Sequence, residues 1–378
     1  MNLFNVYQLY DVTPVKANDI FVTDENNITF LDFYGGHGVI SIGHGHPYYI
    51  SKLKEQIDAL GFYSNAVKNP LQNKLAEKLA KISGYPDYNL FLCNSGAEAN
   101  ENALKLASFY TDKKRVIAFR NSFHGRTSAA VSITDNPKII APINSCNPVT
   151  FLPLNDIDLV KNELDKGDVC AVIIEGIQGV GGLDEGTTVF FQGLEKLCKK
   201  YQVILILDEI QSGYGRSGKF FAHQYHQIQP DIISIAKGMG NGFPVGGILI
   251  SPKLKASYGM LGTTFGGNHL ASAASIAVLD IIEKEELIKH TQEMSTYFIE
   301  RSKTISQIKN VKGRGLMLGL EFDFEISTLR KELIYNKHIF TGGANNKKLL
   351  RILPPLTVQK KHIDVFFESL KEILFDID

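Results

Sequence analysis

The feature that most constrains this chain is a series of short apolar runs, rich in β-branched residues, spaced along its middle. RVIAF (115–119), VCAVII (169–174), VILIL (203–207), IISIA (232–236) and GGILI (246–250) are the clearest, and LFLC (90–93) precedes them. Amphipathic stretches lie between, such as AEANENALKLASFY (97–110) and FFQGLEKLCKK (190–200). Buried strands alternating with helices imply βαβ units and a mostly parallel sheet. Right-handed crossovers then place helices on both faces. The ends read differently. Residues 1–40 carry short alternating segments, IFVTD and ITFLDF. Beyond residue 268 come long helical patterns, LASAASIAVLDIIEKEEL and HTQEMSTYFIERSKTI, then LMLGLEF (316–322) and a terminal helix near 361–375. The expected fold is α/β, with a large domain over 41–275. A smaller α+β domain is expected from both chain ends, 1–40 and 276–378.

Composition narrows the partners. At 378 residues the chain can hold two domains and bury a core without staples. Lys+Arg and Asp+Glu both number 40, so no basic excess points to a nucleic acid. The cysteines, Cys93, Cys146, Cys170 and Cys198, form no C-x-x-C pair, so free thiols in a reducing compartment are expected and no metal is. The opening MNLFNVYQLY lacks a basic stretch followed by an apolar one, and VILIL is far short of the ~20 residues that cross a bilayer. A soluble cytoplasmic protein with small-molecule substrates is the expectation.

Four segments carry candidate chemistry. In LFLCNSGAEANENALKL a helix starts directly after a strand, and its first amides have no intrahelical partner. Ser95, Gly96 and Ala97 occupy that turn, which is either a phosphate site or a plain strand–helix junction. In VILILDEIQSGYGRSG, Asp208 ends a buried strand, where ligands bind in parallel sheets. A carboxylate there needs a cation or donors, so it faces a ligand cation, caps a helix or joins a buried salt bridge. Lys237 follows IISIA and precedes Gly238, Gly240 and Gly242. It is either a desolvated, nucleophilic amine beside a flat ligand or a snorkelling surface lysine. FHGRT (123–127) offers Phe123 for stacking and Arg126 for a carboxylate, or is a plain surface loop. Two decoys fail. GYGRSGK (213–219) has Walker spacing, but Phe220 stands where a magnesium ligand is needed. His223 and His226 lack the glutamate of a zinc-protease helix and read as plain helix residues.

The order of these pieces, together with LDFYGGHGVISIGHGHP, NSGAEANENALKLA, GTTFGGNHLA, VKGRGLMLGLEF and LLRILPPLT, resembles the class III, or ω-, aminotransferases. Within them the chain is most similar to the branch acting on acylated ornithine. The resemblance implies fold type I, with a seven-stranded-type sheet, and pyridoxal 5′-phosphate as cofactor. Lys237 matches the lysine that forms the internal Schiff base, and Asp208 the partner of the ring nitrogen. Gln211 lies near the ring hydroxyl, Phe123 stacks on one ring face and Ile210 covers the other. Ser95, Gly96 and Ala97 hold the phosphate. Thr264 matches a residue that reaches the phosphate of a neighbouring subunit, with Thr263 beside the substrate there, which implies a homodimer with sites at the interface. Arg126 matches the residue for the α-carboxylate of the acylated ornithine, and Arg351 the one for glutamate or 2-oxoglutarate. The implied reaction moves the terminal amine of N-acetylornithine or N-succinylornithine to 2-oxoglutarate, in arginine biosynthesis. Ornithine or another ω-amine is the alternative donor.

One departure stands out. The family usually reads E-P-I-Q-G-E-G/A-G where this chain reads Glu175-Gly176-Ile177-Gln178-Gly179-Val180-Gly181-Gly182. The family's second glutamate masks the arginine corresponding to Arg351; valine cannot. The expectation is that Arg351 stays unmasked or that another acid serves.

Overall fold

The computed structural model describes residues 1–377. Three short strands open the chain: β1 (Pro14–Asn18), β2 (Phe21–Asp24) and β3 (Thr29–Asp32). Seven follow: β4 (Asn89–Cys93), β5 (Arg115–Phe119), β6 (Val149–Leu152), β7 (Val169–Glu175), β8 (Ile204–Asp208), β9 (Ile232–Ile235) and β10 (Gly246–Ile250). These seven make one sheet, ordered β4-β10-β9-β8-β7-β5-β6. β10 runs antiparallel to β4 and β9, and every other neighbouring pair is parallel.

The central strands read as unbroken apolar runs because both of their faces are covered. Every residue of β7, β8, β9 and β10 is buried. Alternate side chains feed opposite layers. Ile173, Ile206 and Ile248 pack with Ala99, Ala103 and Ala107 of the helix Gly96–Thr111. Val172, Ile174, Leu205 and Leu207 pack with Phe190, Leu194 and Cys198 of the helix Thr188–Tyr201. β6 was not expected as a strand. It sits at the sheet edge and is only half-buried, so VTFL lacks the apolar density of its neighbours.

The closing strands are β11 (Asn310–Arg314), β12 (Met317–Glu321), β13 (Ile339–Phe340) and β14 (Leu349–Ile352). β11, β12 and β14 form a small antiparallel sheet. β13 pairs in parallel with β3, Leu31 opposite Ile339, so the two chain ends share the sheet β1-β2-β3-β13. Phe298, Phe366 and Phe367 pack ring against ring where the helices Leu287–Ser302 and Lys360–Ile377 meet. Among the described residues no helix is long and apolar enough to cross a membrane.

Register fixes what lies at the carboxyl edge of the large sheet. Glu175 is opposite Asp208 across β7 and β8, and Asp208 is opposite Ser234 across β8 and β9. Lys237 follows β9 by two residues. Three adjacent parallel strands therefore deliver two carboxyl groups, a hydroxyl and an amine to one edge.

Candidate active site

A cavity of about 390 Å³ opens at that edge. Ser95, Gly96, Ala97, Phe123, Arg126, Asp208, Ile210, Gln211 and Lys237 all line it. Residues 142 positions apart in sequence thus meet, because each follows the end of a strand or opens a helix at the same edge.

Asp208 is held on both oxygens. Its Oδ2 is 2.7 Å from His124 Nδ1 and accepts from Asn100 Nδ2 at 2.8 Å. Its Oδ1 accepts the amide of Ile210 at 3.1 Å. Ser234 Oγ donates to Asn100 Oδ1 at 2.7 Å, which fixes the amide's orientation. Oδ1, with one partner, can accept a second donor. The helix-cap alternative fails, since Asp208 ends β8 and is followed by a turn; the buried-pair alternative is met in part by His124, which leaves Oδ1 with capacity for a ligand donor.

Lys237 opens a single 3₁₀ turn, Lys237–Met239, at φ +46. A non-glycine residue in the left-handed region is strained, and Lys237 in that conformation lines the cavity. Burial pushes its ammonium down to about 8; Asp208 acts in the opposite direction and Arg351 in the same one. The amine is therefore partly neutral near physiological pH. The surface-lysine alternative is excluded by the cavity wall it forms. Of the three glycines beside it, only Gly242 lines the cavity. Gly240 is required for another reason: a Cβ there would lie 2.1 Å from the Phe243 carbonyl oxygen.

The helix Gly96–Thr111 starts at the cavity wall. Ser95 is its N-cap, its Oγ accepting the Glu98 amide at 3.2 Å, which leaves the hydroxyl hydrogen free to donate. The amides of the first turn have no intrahelical acceptor. At Gly96 a Cβ would come within 2.8 Å of Ile210 Cγ2, so the slot beside Ile210 exists only because this residue is glycine. An amine, a carboxylate with acceptor capacity, apolar side chains and a helix N-terminus around one slot fit a flat, phosphorylated aldehyde with a basic ring nitrogen.

Arg351 lies immediately behind this wall. Its Nη1 donates to the carbonyl of Gly179 at 2.6 Å and approaches Gln211 Oε1 at 3.4 Å. Among the described residues no carboxylate lies within salt-bridge distance of it. Gln211 in turn donates from Nε2 to the carbonyl of His37 at 2.8 Å. Thr263 and Thr264 do not join the cavity. Thr263 borders a neighbouring depression with Asn65 and Leu92, and Thr264 is exposed.

Glu175 and His124 escaped the sequence reading. Glu175 accepts the amides of Phe123 at 2.9 Å and Gly179 at 2.8 Å. Burial, with Asp208 adding to it, pushes its carboxyl up to about 7 against the pull of His124 and the two amides. The signal was present: Glu175 ends the apolar run VCAVII just as Asp208 ends VILIL. His124 was legible only as part of FHGRT, because its partner is 84 residues away.

The family model for class-III aminotransferases matches residues 5–374. An acetylornithine aminotransferase from Aquifex aeolicus is 42% identical, the match covering 98% of this chain and 99% of that one. One from Bacillus subtilis is 38% identical, over 99% of this chain and 97% of the other. A structure of the ornithine aminotransferase from Toxoplasma gondii, crystallized with oxidized glutathione and showing partial occupancy of PLP at the protein active site, superposes with a TM-score of 0.90. It is 26% identical, covering 98% of this chain and 93% of that one.

Proposed function

The chain belongs to the class III aminotransferases, and from that membership we propose that it transfers the terminal amine of N-acetylornithine to 2-oxoglutarate, using pyridoxal 5′-phosphate, in arginine biosynthesis. The observation that carries the chemistry is the convergence of Lys237 and Asp208 on one cavity beside a helix N-terminus. The substrate rests on the two acetylornithine aminotransferases that align end to end.

Pyridoxal phosphate supplies an aldehyde and a ring that delocalises negative charge. The residues of this chain supply the rest. Lys237 Nζ would hold the cofactor covalently, and its lowered basicity suits the amine to take a proton from the substrate carbon and return it. Asp208, fixed by Asn100 and His124, provides the negative charge that keeps a proton on the ring nitrogen. Ser95, Gly96 and Ala97 take the phosphate, while Phe123 and Ile210 flank the ring. Gln211 is assigned to the ring hydroxyl. Arg126, exposed at the cavity mouth, takes the carboxylate of the acylated donor, and Arg351 takes that of glutamate or 2-oxoglutarate.

Thr263 and Thr264 serve the site of a second copy. They lie outside their own chain's cavity, next to Phe265, which is 59% exposed and packs on the exposed Phe62. Apolar exposure on that scale supports a homodimer in which this face is covered. A cytoplasmic setting suits its four unpaired cysteines.

Stopped-flow mixing of the cofactor-loaded protein with N-acetylornithine, N-succinylornithine and ornithine tests the assignment. N-acetylornithine is expected to bleach the cofactor absorbance fastest. Faster reaction with free ornithine would replace the donor. Borohydride should leave a stable adduct on wild type and none on Lys237→Ala; an adduct on both would overturn the role of Lys237.

A further inference from the structure

A second arginine stands beside Arg351. Arg330 lies on the helix Ser327–Tyr335, and its Nη2 donates to the carbonyl of Thr341 at 3.0 Å. The next residue, Gly342, exchanges backbone hydrogen bonds with Arg351 at 2.8 and 2.9 Å. A Cβ on Gly342 would be 3.1 Å from the Tyr34 ring and 3.3 Å from Arg351 Cβ, and one on Gly343 would be 3.0 Å from Arg330 Nη1. One short segment, Thr341–Gly343, therefore gathers Arg330, Arg351 and Tyr34.

The two guanidiniums are short of negative charge. Arg351 is only 3% exposed, and its Nε is buried without a partner. The Nε of Arg330 is buried without a partner as well. Among the described residues neither arginine lies within 4.0 Å of an Asp or Glu oxygen. The carboxyl group whose charge does act on Arg351 is that of Glu175, and it is committed to the amides of Phe123 and Gly179. His37 bonds the Tyr34 hydroxyl, and Arg351, Lys237 and Arg330 add to its burial in pushing it down to about 4, so it stays neutral and adds no charge of either sign. Unpaired buried charge is costly, as at Arg351, and the half-buried Arg330 beside it adds a like charge that raises the cost. Gly179 and Gln211, the two acceptors of Arg351, line the cavity, as does Val180. Arg351 thus stands directly behind that wall, one residue from the cavity, with Arg330 beside it.

We propose that Arg330 and Arg351 form a paired-guanidinium subsite that binds a small exchangeable anion whenever the amine on the cofactor carries no neighbouring carboxylate. This rests on the transamination reading, because it divides the two half-reactions. A substrate such as glutamate brings its own carboxylate to the pair. A terminal amine such as that of N-acetylornithine brings none, and a free anion fills the place. Arg330 is the specificity-determining residue: it raises the positive potential at Arg351 without being needed to hold the cofactor. The free anion and the substrate carboxylate compete for one place, so the same anion helps one half-reaction and hinders the other.

Chloride alone is the probe. The ³⁵Cl resonance of a chloride solution should broaden in the presence of the cofactor-loaded protein, and glutarate should reverse the broadening. Arg330→Gln should weaken chloride binding roughly ten-fold, the effect of losing one charged partner. Val180→Glu, which brings a carboxylate to the cavity wall, should abolish it. Both variants should keep the wild-type cofactor absorbance, which confirms that the site has folded. In stopped flow, chloride should speed the half-reaction with N-acetylornithine and slow that with glutamate. Equal broadening by wild type and both variants would overturn the subsite, as would chloride slowing both half-reactions alike. If no terminal amine reacts, the functional assignment fails, while the line width still decides whether the subsite exists.

Discussion

Individual side chains set the chemistry through burial and register. Lys237 and Asp208 could be named from sequence because each ends an apolar run, and a polar group at such a position has to have a reason. Glu175 obeys the same rule and shows how far the rule reaches. The lowered basicity of Lys237 has a measurable sign. Its ordinary value is 10.5 and burial brings it to about 8. Between those values the unfolded chain binds a proton that the folded chain does not. The cost of burying the ammonium is therefore fully present below pH 8 and fades as pH rises toward 10.5. Capture of pyridoxal phosphate by the cofactor-free protein should accordingly slow by about ten-fold per pH unit below 8 and level off above it. Rapid-mixing absorbance from pH 6 to 10 measures this. Asp208→Asn keeps the shape but loses the charge, and a loss of about 10²–10³ in the half-reaction rate is expected, with an unchanged melting temperature within a degree or two.

At the scale of elements, strand ends and the turns after them hold the site in place. The helix Gly96–Thr111 presents its amides where Ile210 passes. Gly96→Ala should therefore push Ile210 aside and weaken cofactor binding, and Ile210→Ala in the same chain should restore part of it, measured by fluorescence titration of the cofactor. The turn after Asp208 is held from below by a buried relay. Glu209 Oε1 meets His223 Nδ1 at 2.7 Å, and His223 Nε2 meets the Tyr85 hydroxyl at 2.5 Å. The sequence reading gave His223 and His226 to an ordinary helix. Both are instead buried around a 3₁₀ turn, Ala222–Tyr225, with His226 stacked on Phe191. Their partners are remote, so spacing alone could not assign them. Tyr85→Phe leaves His223 Nε2 unpaired and should cost about 1–3 kcal/mol in denaturant unfolding.

Across the molecule, one arginine ties the pieces together. Arg216 falls inside the Walker-like GYGRSGK, yet it is buried and donates to the carbonyls of Ile40 at 3.1 Å, Leu316 at 3.2 Å and Pro354. Those acceptors come from the start of the chain and from its last third, so the loop bearing Gln211 is pinned to both ends. Burial lowers the guanidinium to about 10. Arg216→Met strands three carbonyls and should cost about 3 kcal/mol or more, read as a lower midpoint in calorimetry. On the outer surface, Phe265→Asp should shift sedimentation from dimer to monomer and take most of the activity with it, because Thr263 and Thr264 are assigned to a second copy's site.

The sequence alone determined the α/β class, the central strands to within a residue or two, and the amine and carboxylate at their ends. These follow from local rules, since a run buried on both faces must be apolar and a charge at its end must be used. Tertiary structure alone decided that β13 joins β3, that His124 and Asn100 hold Asp208, and that Arg330 stands beside Arg351. Those are meetings between residues tens to hundreds of positions apart. No periodicity encodes them, because each depends on which strand lies next to which.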